Sequence, residues 1–123
     1  MTEGAFKVTG LAPVLHVKEM TAALAYYRDK LGFAVTYSWE DPPRYVCLCR
    51  DDAASHLNSY VPPDAPAHIQ LFCNGVDALY AQLAARGVAV TEPLEDRPYG
   101  MRDFTVLDPD GNRLVFGQAL SRN

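Results

Sequence analysis

The stretch FTVLDPDGNRLVFGQ, residues 104–118, sets the turn Asp108-Pro109-Asp110-Gly111-Asn112 between two apolar runs. Pro109 presets φ for a turn, and Gly111 and Asn112 tolerate the left-handed conformations that such turns require. The flanking runs are rich in β-branched and aromatic residues, so the stretch reads as a β-hairpin.

The same punctuation recurs toward the N-terminus. Residues 67–73 read as a strand, Val76, Leu79, Tyr80 and Leu83 form one helical face, Gly87 ends that helix, and residues 88–91 are extended. Earlier still, residues 13–17 alternate as a strand and lead to a helix starting near Thr21, whose hydroxyl is the candidate cap. Leu24, Tyr27 and Leu31 line that helix, Gly32 closes it, and Phe33, Val35, Tyr37 and Trp39 alternate as the next strand. Asp41-Pro42-Pro43 breaks this strand, and residues 45–50 and 55–60 make a hairpin around Asp51-Asp52. Shifting the chain along itself brings Leu24 onto Leu79, Gly32 onto Gly87, Ala34 onto Ala89 and Val35 onto Val90. The order of elements repeats as well. Two copies of a strand-helix-strand-strand-strand unit, residues 11–60 and 67–118, are joined by a Pro-rich linker at 61–66, and each is expected to curl around a cavity.

With 123 residues and 49% hydrophobic content, the chain supports a single domain, residues 1–123, with its own core. No apolar run approaches the roughly 20 residues of a membrane span. The first residues lack the basic-then-apolar layout of a secretion signal, which leads to the expectation of a cytoplasmic protein without membrane contact. A net charge of −4 argues against a nucleic-acid partner and suits a cationic ligand. Cys47, Cys49 and Cys73 lack the second closely spaced pair or paired histidines of a zinc site and read as buried thiols.

Several segments carry a family resemblance: Pro13-Val14-Leu15; the helix end Tyr26-Tyr27-Arg28-Asp29-Lys30-Leu31-Gly32-Phe33; Arg97-Pro98-Tyr99-Gly100-Met101-Arg102-Asp103-Phe104; and the Asp108–Asn112 turn. Together they resemble the vicinal oxygen chelate superfamily of glyoxalases, bleomycin resistance proteins and dioxygenases. The likeness is greatest to the bleomycin resistance branch. It implies an α+β fold of two βαβββ modules in an open, curled mixed sheet, paired in a homodimer whose chains complete each other's cups. It also implies that metal ligands, where members are enzymes, would fall at Ala12, His56, His68 and Val115.

Two of those positions are aliphatic. A catalytic divalent ion usually takes three or more O or N donors, and His56 and His68 alone fall short. The expected site is therefore metal-free and without cofactor. A lone His opening an apolar strand, as His68 does, is more often a hydrogen-bonded core or cavity residue than a ligand, and the same holds for His56. His16 shares a face with Val14 and is expected to line the cup without a catalytic role. Aromatic rings supply the remaining means of binding: Phe33, Tyr37, Trp39, Tyr45, Phe72 and Tyr99, together with Gln70 and Val115. Glu40, Asp41, Glu95, Asp96 and Asp103 flank these rings and suggest either a solvated acidic loop or a negatively lined groove. The leading expectation is a non-catalytic protein of the bleomycin-resistance type that sequesters a planar or cationic, bleomycin-like small molecule in a dimer-shared groove. The alternative is a lyase- or dioxygenase-type enzyme using a divalent metal ion on His56 and His68. A third is a partner-binding module with a filled cup.

Overall fold

A computed structural model describes residues 5–121. The first set of elements is β1 (Val14–His16), α1 (Met20–Leu24) running into a π-helical stretch (Ala25–Lys30), β2 (Ala34–Trp39), β3 (Tyr45–Arg50) and β4 (Ala53–Asn58). The second is β5 (His68–Phe72), α2 (Val76–Ala85), β6 (Val90–Asp96), β7 (Met101–Leu107) and β8 (Arg113–Ala119). They form two 4-stranded sheets of matching order, β1-β4-β3-β2 and β5-β8-β7-β6. In each, the first strand runs parallel to the last and the other pairs are antiparallel.

The repeat extends to local irregularities. A register shift separates Val35 from Tyr37 in the first sheet and Val90 from Glu92 in the second. Gly32 and Gly87 both end their helices in the left-handed region, at φ 81° and 79°. Leu15 beside Leu57 corresponds to Leu71 beside Phe116. The next bond along each parallel ladder is also shared, Val17 N–H to the Asn58 carbonyl at 3.0 Å and Cys73 N–H to the Gly117 carbonyl at 2.8 Å.

One continuous core unites the two halves. The buried faces of both sheets contribute Leu15, Val46, Leu48, Leu57, Phe104, Val106, Leu114 and Phe116, and the helices add Tyr27, Leu31, Val76 and Leu83. Each such side chain stabilises the fold by about 1.5–3 kcal/mol relative to exposure. The helices cover one face of each sheet; the opposite face is accessible on the first sheet, while on the second its centre, Asp103, Thr105 and Val115, is buried.

Several local expectations are corrected. The first helix starts at Met20 and its cap is Glu19, whose carboxylate accepts from Thr21 N–H at 2.9 Å; the Thr21 hydroxyl is not the cap. Widening to a π-helix after Leu24 carries Tyr27 and Leu31 into the core, while Leu24 stays half-buried. Strand β4 begins at Ala53 and ends at Asn58, leaving Tyr60 outside it beneath the Arg44 guanidinium, 4.2 Å from the ring centroid. Phe33 precedes β2 and is buried edge-on against Tyr27, with ring centroids 5.9 Å apart.

The modules are tied at the Asp108–Asn112 turn. The Tyr27 hydroxyl donates to Asp108 Oδ2 at 2.7 Å, Asn112 Oδ1 accepts from Ala67 N–H at 2.7 Å, and Asp110 Oδ1 accepts from Lys18 N–H at 3.0 Å. A second tie lies at the end of the π-helical stretch. Arg50 donates to the Leu31 carbonyl and to Gln82 Oε1, and Arg86 donates to the Lys30 carbonyl, so two cations meet the negative end of the helix.

The neighbouring tyrosines differ sharply: Tyr27 is bonded, whereas the Tyr26 hydroxyl is buried without a partner among the described residues. Tyr27→Phe should cost about 1–3 kcal/mol in urea unfolding because it strips a donor from a buried carboxylate, and Tyr26→Phe should be neutral or stabilising. Burial and the charge of Asp108 raise the pKa of both hydroxyls above the ordinary phenol value of about 10. The stability tied to keeping them neutral is complete below about pH 10 and declines above it, so the melting temperature should fall there more steeply in the parent than in Tyr26→Phe.

A Cβ on Gly32 would lie 2.5 Å from an Arg50 guanidinium nitrogen and 3.0 Å from that of Arg86, whereas one on Gly87 would meet nothing within 4 Å. Gly87→Ala should cost about 1–2 kcal/mol through its backbone alone. Gly32→Ala should cost more, because Arg50 must also leave the Leu31 carbonyl, and parallel denaturation of the two variants measures the difference.

Candidate functional site

Strand pairing assembles the open face of the first sheet. Residues opposite one another in a ladder point to the same side, and the core takes Val46, Leu48, Ser55 and Leu57. The other side carries two cross-strand rows, Val14–His56–Cys47–Tyr37 and His16–Asn58–Tyr45–Trp39. Tyr37 and Trp39 are 56% and 54% exposed, so the far end of this wall is aromatic and accessible. At its centre the Tyr45 hydroxyl and His56 Nδ1 are hydrogen-bonded at 2.7 Å, with the rings edge-on.

The second sheet has the corresponding rows Gln70–Val115–Thr105–Glu92 and Phe72–Gly117–Asp103–Glu95, with His68 beside Arg113 at the near end of β5. Phe72 is the most exposed ring of the described strands, at 80%. Asp103 is buried, accepting from Arg97 Nε at 2.8 Å and from the Tyr99 hydroxyl at 2.6 Å. That bond raises the Tyr99 pKa. Arg97 also reaches the Pro93 carbonyl at 2.6 Å and so anchors the loop that presents Tyr99.

The residues singled out from sequence thus divide into two groups. His16, Tyr37, Trp39, Tyr45 and His56 come together on the first sheet; His68, Gln70 and Phe72 are exposed on the second with Tyr99 beside them, whereas Val115, expected to line the site, is buried at 3% exposure between Gln70 and Thr105. Phe33 joins neither face. Cys47 and Asn58 belong to the first group and were missed, although strand alternation from Tyr45 and His56 would have found them. A cleft of about 1230 Å³ runs between the modules from Leu11 and Pro13 along β5 to Gln82; it meets His68, Gln70 and Phe72 but not the His56 wall.

The acidic residues of β6 and β7 are partnered, whereas Glu40 and Asp41, which follow Trp39, form no ion pair among the described residues. Glu92 meets Arg113 at 2.8 Å, Glu95 and Asp103 meet Arg97 at 3.7 and 2.8 Å, and Asp96 meets Arg102 at 3.0 Å. A groove lined by uncompensated carboxylates on β6 and β7 is therefore not what these residues form.

Donor chemistry does not fit a catalytic metal. Val115 stands beside Gln70 where His56 stands beside Val14 in the first sheet, and Ala12 precedes β1. The four positions offer two imidazoles, and among the described residues no group of three or more His, Cys, Asp or Glu converges. No step through a metal is derived.

Comparison with known proteins agrees with this architecture. The Glyoxalase/Bleomycin resistance protein/Dioxygenase superfamily matches residues 10–116. The bleomycin resistance proteins of Geobacillus stearothermophilus and Staphylococcus aureus are 26% identical over 130 residues, spanning 88% of this chain and 95% of theirs. Among solved structures, TioX from Micromonospora sp. ML1 superposes with a TM-score of 0.78 at 20% identity, covering 90% of this chain and 100% of its own. TnmS3, an antibiotic binding protein from Streptomyces sp. CB03234, gives a TM-score of 0.77 at 25% identity, covering 93% of this chain and 98% of its own. With its two βαβββ modules, the chain belongs to the glyoxalase/bleomycin resistance protein/dioxygenase superfamily.

Proposed function

We propose that this protein binds and sequesters a planar small molecule of the antibiotic type, without a metal, in a groove whose walls are the open faces of the two sheets. The observation that carries this reading is the exposed aromatic wall of Tyr37, Trp39, Tyr45 and His56, which has the flat, polarisable surface that stacking requires. Sequestration needs no acid, base or metal, and affinity follows from buried area. The bleomycin resistance relatives and the antibiotic binding protein TnmS3 support the same class of activity. The family also contains enzymes, but an enzyme built on His56 and His68 would need a donor set that Ala12 and Val115 do not supply.

Trp39 is the only tryptophan, so its emission reports on the wall directly. Titration with a panel of planar polycyclic compounds and with bleomycin should give saturable quenching at micromolar ligand for at least one compound. Trp39→Ala should weaken that compound by about three- to tenfold in calorimetry. A flat titration across the whole panel would reject the binding assignment.

A second copy of the chain completes the groove in this proposal. Phe72 on the edge strand β5 is exposed, and Phe6, Val8 and Leu11 ahead of β1 are each more than four-fifths exposed. An apolar arm and an unpaired strand edge are complementary in hydrogen bonding and in polarity. Light scattering at micromolar concentration should give about twice the 13.6 kDa chain mass, and Phe6→Asp combined with Val8→Asp should lower it toward the single-chain value. A single-chain mass for the parent protein would exclude the shared groove.

A further inference from the structure

The wall of the first sheet carries aromatic, amide and thiol groups and two imidazoles. None of the residues in the rows Val14–His56–Cys47–Tyr37 and His16–Asn58–Tyr45–Trp39 is Asp, Glu, Lys or Arg. On the second sheet, Glu92, Glu95, Asp96 and Asp103 are each already paired with an arginine. A cationic ligand stacked over the centre of the first wall would lose hydration without meeting a carboxylate in either row, Glu40 and Asp41 lying beyond the end of the strand at Trp39, and this is unfavourable for a charge.

The hydrogen bonds on β4 also fix which polar atoms face the groove. The Tyr45 hydroxyl has one proton and, among the described residues, one partner, His56 Nδ1 at 2.7 Å. If Nδ1 instead donated to the phenol oxygen, the phenol proton would have solvent as its acceptor, there being no second protein partner among the described residues. Donation from Tyr45 makes Nδ1 the acceptor and puts the imidazole proton on Nε2. Two residues along the same strand and on the same face, Asn58 Oδ1 accepts from Tyr60 N–H at 2.8 Å. Its amide NH₂ is then the group left to meet a ligand. His56 and Asn58, alternate residues of β4 with Cα atoms about 7 Å apart, therefore each present an N–H donor on the same face.

Resting on the planar-ligand reading above, we infer that the groove selects an uncharged planar aromatic whose edge bears carbonyl-type acceptors. His56 Nε2–H and the Asn58 amide read those acceptors, Tyr37 and Trp39 supply the stacking surface, and Tyr45 is a positioning residue that holds the His56 tautomer.

Acridone and 9-aminoacridine test this with one ring shape. Acridone is neutral and presents a carbonyl; 9-aminoacridine is cationic at neutral pH and presents an amino donor. Followed by Trp39 quenching, acridone should bind about tenfold more tightly or better. His56→Ala and Asn58→Ala should each weaken acridone by about two- to tenfold and change 9-aminoacridine by less than about twofold. Nitrogen NMR of the parent protein should show the Nε2–H form of neutral His56, giving way to mixed tautomers in Tyr45→Phe, a change that loss of packing alone does not produce. Equal or tighter binding of 9-aminoacridine overturns the inference and leaves the planar-ligand reading standing. Binding of neither compound overturns both. An Nδ1–H form in the parent, or an acridone affinity indifferent to His56 and Asn58, overturns the donor edge.

Discussion

The hydrogen bond from the Tyr27 hydroxyl to the buried carboxylate of Asp108, 2.7 Å long, is the constraint on which the rest of the molecule depends. A carboxylate out of water needs compensation at every lone pair. Asp108 obtains it from Tyr27 and the Asn112 amide on one oxygen, and from the backbone N–H groups of Asp110 and Asn112 on the other. The donors from Asp110 and Asn112 close the β7–β8 turn, while Tyr27 comes from the helix of the other module. One side chain thereby sets both the local geometry of a hairpin and the docking of two half-molecules. The pairing of Asn112 with Ala67 then fixes where β5 begins against β8.

Much of this architecture was legible in the chain because its signals are local. The Asp108–Asn112 turn, the glycines closing both helices and the period-2 runs each act within a few residues, and strand alternation is rigid enough to carry a count over distance. Val115 and His56 hold equivalent places in the two parallel ladders, where Val115 adjoins Gln70 and His56 adjoins Val14. Counting failed where the period itself changed. The register shift between Val35 and Tyr37 separates Phe33, which enters the core, from Tyr37 and Trp39, which do not.

Charge was the least legible property. Read in order, Glu40, Asp41, Glu95, Asp96 and Asp103 look like an acidic lining, and only the folded chain shows that Arg97 and Arg102 already engage the last three, as Arg113 engages Glu92. The arginines are as visible in the sequence as the acids. What is missing there is the pairing of β6 with β7 and of β7 with β8, which places Glu95 opposite Asp103 and Glu92 opposite Thr105, next to Val115. Ion pairs across strands are products of register, and their partners cannot be chosen from composition.

The two open faces are consequently unlike although their backbones are copies. The first presents rings and hydrogen-bond donors without formal charge, and the second presents guanidinium–carboxylate pairs around Val115 and Thr105 with Phe72 at its edge. A duplicated scaffold thus supplies one wall for stacking and one whose polar groups are already satisfied. Satisfied ion pairs have little to offer a passing ion, and they hold Tyr99 and its loop in place through Asp103. Discrimination then rests with the few groups whose valences are incomplete, and along β4 those are His56 and Asn58, each with one side committed to the protein and the other turned outward. The register that puts the aliphatic side chain of Val115 beside Gln70 on one sheet puts His56 beside Val14 on the other, where it is hydrogen-bonded to Tyr45.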